Sequence, residues 1–161
     1  MISKEQMIPL LLQVCPSFQS KWQELKDDHE DELPYICCGK FAAHLLELYK
    51  NSQTSEFPAV ADVIEQLHVE GDGYVKEAAT IGILEGIQNV WGNNDADPEN
   101  FVRFLKPESK KWWYELNAFW NGERRYVGEG LQKQLTPEDI KIIKKETEAF
   151  NDSLNKRKRT F

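Results

Sequence analysis

A chain of 161 residues, 40% hydrophobic and 29% charged, can bury one core without disulfides or metals as staples. Its net charge of −7 is uneven: residues 1–105 carry 7 basic and 18 acidic side chains (−11), residues 106–161 carry 13 and 9 (+4). Phosphate is repelled by so acidic a body, which does not favour nucleic acid as the main partner and is compatible with a basic protein partner.

Cys15, Cys37 and Cys38 are odd in number, two of them adjacent, with no CxxC. That is neither a disulfide framework nor a zinc spacing, and all three are expected to be small core side chains. No metal and no cofactor is expected. The first residues, MISKEQMIPLLLQVCP, hold an apolar run of only about six residues broken by Pro9. The run is too short to span a membrane and makes a poor signal peptide, so the expectation is a cytoplasmic protein without a membrane partner.

In chain order, Ser3 and Gln6 have capping-box spacing and open a helix to about Val14, with Met7, Leu10, Leu11 and Val14 inward and Pro9 near its first turn. A second helix from Ser17 to about Lys26 turns Phe18, Trp22 and Leu25 inward. The run DDHEDE, residues 27–32, is the densest charge in the chain. It lacks calcium-loop spacing, and His29 alone makes no transition-metal site. Asp27, Asp28, Asp31 and Glu32 are instead the candidate acidic patch for a protein partner.

Pro34 starts a third helix to about Lys50, with Cys38, Phe41, Ala42, Leu45, Leu48 and Tyr49 on its core face. His44 lies at the edge of that face with Glu47 three residues on. The pair has the types for acid–base chemistry, but no nucleophile or third group accompanies it in sequence, and a hydrogen-bonded border histidine fits better. No catalytic residue is assigned. Phe57-Pro58 opens a fourth helix with Val60, Val63, Ile64 and Leu67 inward; His68, near its end, suits the helix dipole as a partly charged ring.

The stretch DGYVKEAATIGILEGIQNVW, residues 72–91, is expected to organise the fold. Asp72 is a good N-cap, and Gly92 followed by two asparagines is a good stop. The helix between them is apolar around most of its circumference, the mark of burial on both faces. Ala78, Gly82 and Gly86 repeat every four residues and leave a groove in which a second backbone can approach. Each glycine costs roughly 1 kcal/mol against alanine in a helix interior, for which close packing compensates.

A turn-rich connection leads to a short helix with Phe101, Val102, Phe104 and Leu105, and Pro107 to Trp120 forms the next. Trp112, Leu116, Phe119 and Trp120 share its predicted core face, Trp113 adjoins it and Tyr114 is displaced from it. That leaves Trp113 as the tryptophan of the cluster expected to reach a surface and the candidate apolar anchor for a partner. Residues 121–135 are Gly-rich, charged and aperiodic, and read as a loop or hinge. Thr136-Pro137-Glu138-Asp139 is a strong helix start. Ile140, Ile143, Thr147, Phe150 and Leu154 then follow a heptad for two repeats, a stripe set to dock on the body or to pair residues 136–155 with a second copy.

Helices joined by short loops with no strand predict an all-α fold: a bundle of stacked antiparallel hairpins, or a short HEAT-like array. Residues 1–122 form the body and 123–161 a loop plus C-terminal amphipathic helix. Two stretches, YVKEAATIGILEGIQNVW (74–91) and LKPESKKWWYELNAFW (105–120), resemble small acidic helical proteins of bacteria, some of which look like immunity proteins paired with polymorphic toxins. The resemblance covers residues 1–122. It implies a non-enzymatic protein that binds and neutralises a cognate toxin, often basic, and it carries over no site residues.

Overall fold

The computed structural model describes residues 1–28, 33–132 and 136–159. The chain divides into two units, Met1–Gly130 and Leu131–Phe161. The first unit is all-α among its described residues: α1 (Lys4–Val14), a 3-10 turn (Pro16–Phe18), α2 (Gln19–Asp28), α3 (Leu33–Lys50), α4 (Phe57–Glu70), α5 (Gly73–Glu77), a π-helical segment (Ala78–Leu84), α6 (Glu85–Gly92), α7 (Glu99–Val102) and α8 (Pro107–Trp120). One isolated parallel bridge joins Ile2 to Gly71: Ile2 N–H donates to the Glu70 carbonyl (2.8 Å) and Asp72 N–H to the Ile2 carbonyl (2.9 Å).

Local signals place most helix starts. Gln6 Oε1 accepts from the Ser3 N–H at 2.9 Å, one half of the expected capping box, and Asp72 Oδ1 accepts from the Val75 N–H at 2.9 Å. Two boundaries differ from the sequence reading. Pro9 sits in the interior of α1, and α2 begins at Gln19 because Pro16–Phe18 close a tighter 3-10 turn first.

The stretch 73–92 is the centre of this unit. Val75, Ala78, Ala79, Ile83, Leu84, Ile87 and Trp91 are all wholly buried. α3 lies along α6 and the π segment, while α4 and α8 also pack on the π segment. Helix α3 fills the groove foreseen at the small residues. A Cβ built on Gly82 would lie 2.9 Å from Cys38 Sγ and 3.0 Å from Cys38 Cβ, and one on Gly86 3.4 Å from Ala42 Cβ. Periodicity alone did not predict the π widening. Within it the Glu85 N–H reaches back to the Thr80 carbonyl, five residues away, where an α-helix would reach four.

Aromatic packing closes the far end of the centre. Trp91 stacks on Tyr49 (4.9 Å between ring centroids), meets Phe101 edge-on (5.9 Å), and donates its indole N–H to the Ala42 carbonyl at 3.3 Å. Residues 123–130, read from sequence as loop, are tied to α8: the Arg124 guanidinium and the Gly130 N–H donate to the Glu115 carboxylate at 3.2 and 2.9 Å. Gly128 takes φ +91°, and a side chain there would run into the Trp112 ring.

Among its described residues the second unit holds the helix α9 (Pro137–Arg159). Thr136 Oγ1 accepts from the Asp139 N–H at 3.1 Å, the start that the Thr-Pro-Glu-Asp run called for. No helix of the described residues is long and apolar enough to cross a membrane.

Candidate functional site

The residues expected to bind a partner do not gather into one place that the structure describes. Asp27 is exposed in the last turn of α2 and Asp28 is that helix's last residue. Asp31 and Glu32 lie outside the described residues. Trp113 requires correction: it is wholly buried, and its indole N–H donates to Glu99 Oε1 at 2.9 Å. The core face of α8 carries Ser109, Trp113 and Leu116, so Leu116 keeps its predicted place while the face turns toward Trp113, and Trp120 reaches solvent at 56% exposure. Sequence misplaced the face because aromatic residues stand on several sides of α8. What settles its rotation is the polar anchor of Ser109, whose backbone N–H and hydroxyl both donate to Glu65 of α4 (2.8 and 2.7 Å).

The densest side-chain chemistry lies around His44. His44 and Glu47 are adjacent as the sequence allowed, but four groups that the sequence did not place beside them join them. Lys21 Nζ lies 2.9 Å from His44 Nδ1 and also pairs with Glu47. Ser17 Oγ lies 2.8 Å from His44 Nε2 and donates to Glu56 Oε2 at 2.6 Å. Cys15 donates its S–H to the same oxygen at 3.1 Å. These residues come from α1's end, the 3-10 turn, α2, α3 and the residue before α4. Separations of 23 to 41 positions link Lys21 to His44 and Cys15 to Glu56, and no local spacing signal spans such distances.

The proton positions follow from the partners. An ammonium can only donate, so Nδ1 of His44 accepts and its ring proton sits on Nε2. That proton is given to Ser17 Oγ, and Ser17 in turn gives its own to Glu56. His44 therefore takes no proton from Ser17, and the serine is not the activated nucleophile of a Ser–His pair. Burial, with the Lys21 charge beside the ring, holds the His44 pKa below its ordinary value. Burial pushes Glu56 up, yet the hydrogen bonds from Ser17 and Cys15 outweigh it and keep the carboxyl below its usual range. Burial, and next the Glu56 bond, push the Cys15 thiol up to about 12, so it is neutral and unreactive at physiological pH. A cavity of about 460 Å³ opens on the other side of the histidine, lined by Lys21, Glu24, Lys40, His44 and Glu47 among others.

His68 also departs from expectation. It is buried and serves the core, with no charged role at the helix end. Its Nδ1 faces the Ile64 carbonyl at 2.9 Å, which can only accept, so Nδ1 carries the proton, and Nε2 lies 3.0 Å from Thr80 Oγ1, whose one proton the ring nitrogen shares with the Lys76 carbonyl at 3.2 Å. Ser109 Oγ stands 3.2 Å from Nδ1. The ring thus joins α4, the π segment and α8. Burial holds its pKa below the ordinary value.

Among known proteins, the family described as Domain of unknown function (DUF7674) matches residues 8–121, and the chain belongs to it. The match spans α1 to α8 and stops before the second unit. No curated protein and no solved structure matches the chain.

Proposed function

We propose that this member of the family acts by binding another protein and not by catalysis, with the apolar stripe of α9 as a contact element. The observation that carries the reading is the exposure of that stripe: Ile140, Ile143, Phe150 and Leu154 stand 40% to 62% exposed, on a helix with no second helix to cover it among the described residues of its own unit. Covering half-exposed side chains of this size gains on the order of 1 kcal/mol each, a contribution to partner binding that charge complementarity and further contacts must complete. The acidity of the family-matched body selects the partner's charge. Such a field raises the association rate with a basic protein and is screened within about 10 Å at 0.1 M salt. The finer form of the proposal is an immunity-like protein that neutralises a basic toxin domain, with Asp27, Asp28, Asp31 and Glu32 as the leading acidic patch and exposed Trp120 in the anchoring place first given to Trp113.

The test compares the tagged chain with an Ile143→Asp/Phe150→Asp variant in extracts of the source cells. A basic protein should be retained in stoichiometric amount by the parent and lost by the variant. Reconstituted from pure components, that pair should associate more slowly as salt is raised. Equal retention by the variant, or a rate indifferent to salt, refutes the reading; self-association of the chain alone, seen by light scattering and lost in the variant, replaces it with a homodimer. Catalysis at His44 is the second reading. Ser17 and Cys15 beside the ring favour it, and the proton placement above opposes it.

A further inference from the structure

We propose that Cys15, His44 and Glu56 form a transition-metal site suited to zinc, with Ser17 standing in the place of the ion. The site is independent of the partner-binding reading. Three observations carry it. First, one ligand atom from each of the three residues lies within 4.8 Å of the others, and Cys15 Sγ and Glu56 Oε2 are already 3.1 Å apart. Around tetrahedral zinc the ligand atoms stand roughly 3.3–3.6 Å from one another, so no separation has to close by more than about 1.5 Å on binding. Second, Ser17 Oγ sits among these donors, 2.8 Å from His44 Nε2, 2.6 Å from Glu56 Oε2 and 3.6 Å from Cys15 Sγ. Third, Cys15 and His44 are buried but Ser17 is exposed, so an ion reaches the donors from solvent by turning one hydroxyl aside.

One thiolate, one imidazole and one carboxylate, with a fourth position left to water, is the donor set of an open zinc site. Binding breaks the Cys15 S–H bond and sends that proton to solvent. The imidazole proton passes from Nε2 to Nδ1 by exchange with water, so His44 stays neutral, and one proton leaves per ion bound. Nδ1 then needs an acceptor, and the Lys21 ammonium cannot serve. Lys21 yields the ring and keeps its ion pair with Glu47, whose carboxylate is the acceptor at hand for the carboxylate–histidine–metal arrangement that orients such ligands. Ser17 and Lys21 therefore both compete with the ion, which makes them the informative positions to change.

The experiment is titration of the full, metal-free chain with Co²⁺ followed by absorbance, then displacement by Zn²⁺. One equivalent of Co²⁺ should give a thiolate-to-cobalt charge-transfer band, with one proton released. Cys15→Ser should abolish the band and His44→Ala should weaken binding. Ser17→Ala and Lys21→Met should tighten binding about tenfold, the scale on which residues around metal ligands act. The proposal is overturned if the parent and Ser17→Ala, both folded by far-ultraviolet circular dichroism, show no band. A band that persists in Cys15→Ser overturns it equally, because Cys37 or Cys38 would then be the thiolate.

Discussion

The two glycines of the central helix face the same neighbour at different distances, and the difference fixes the sign of a substitution. Replacing a helical glycine by alanine gains roughly 1 kcal/mol by restricting the unfolded chain. At Gly86 the new methyl would stand 3.4 Å from Ala42 Cβ and 3.8 Å from the Cys38 carbonyl, ordinary contact. Gly86→Ala should therefore stabilise the protein by about 0.5–1 kcal/mol. At Gly82 the methyl meets Cys38 at 2.9 Å (Sγ) and 3.0 Å (Cβ), and the Cβ cannot swing away because it is fixed to the α3 backbone. Overpacking of this kind costs typically about 1–3 kcal/mol, so Gly82→Ala should be destabilised by a net of about 0–2 kcal/mol. Gly82→Leu, with three more carbons to place, should fall below both. Urea unfolding followed by circular dichroism gives the order directly: Gly86→Ala, parent, Gly82→Ala, Gly82→Leu from most to least stable. A Gly82→Ala protein as stable as Gly86→Ala would show that α3 does not lie against the π segment as described.

The indole rings give a second contrast. Trp113→Ala should cost about 3–5 kcal/mol of stability, as removal of a buried aromatic does, and Trp120→Ala should leave the unfolding midpoint within about 0.5 kcal/mol of the parent; similar losses in both would contradict the rotation assigned to α8. The buried histidines predict a pH dependence. His68 and His44 both have folded-state pKa values below their ordinary 6.5, so the unfolded chain binds the extra proton first. Their contribution is complete above about pH 6.5 and is lost as pH falls below it toward the lowered values. The carboxylates held low, Glu56 and Glu65 among them, act in a separate window that opens near 4.5 and extends downward. Unfolding free energy measured from pH 8 to 5 should decline below 6.5, and His68→Gln should flatten the decline; an unchanged slope in that variant would mean His68 is not the titrating group.

Resemblance in sequence reached only as far as the family does. Two stretches suggested small helical proteins of uncharacterised family, and the family match over 8–121 agrees with that much; partner binding is a proposal that rests on charge and an exposed stripe, and its toxin-neutralising form rests on the resemblance alone.

What the sequence determined by itself is what short-range physics controls. Helix starts at Ser3, Asp72 and Thr136, the all-α class, and the centrality of 72–91 follow from caps, periodicity and small residues within a few positions of one another. The core faces of α3 and α4 were legible because each has one apolar stripe and one polar face. Where aromatic residues stand on several sides of a helix, as Trp112, Trp113, Tyr114, Phe119 and Trp120 do on α8, sequence offers no way to choose the inward side, and the choice fell to the bonds of Ser109 and Trp113 with Glu65 and Glu99. The π widening likewise arises from packing, not pattern. Most of all, the cluster of Cys15, Ser17, Lys21, His44 and Glu56 exists only in the tertiary structure. A polar group meets its partner wherever the chain brings the two together, and a hydrogen bond between residues 41 positions apart, as from Cys15 to Glu56, leaves no periodic trace in the sequence.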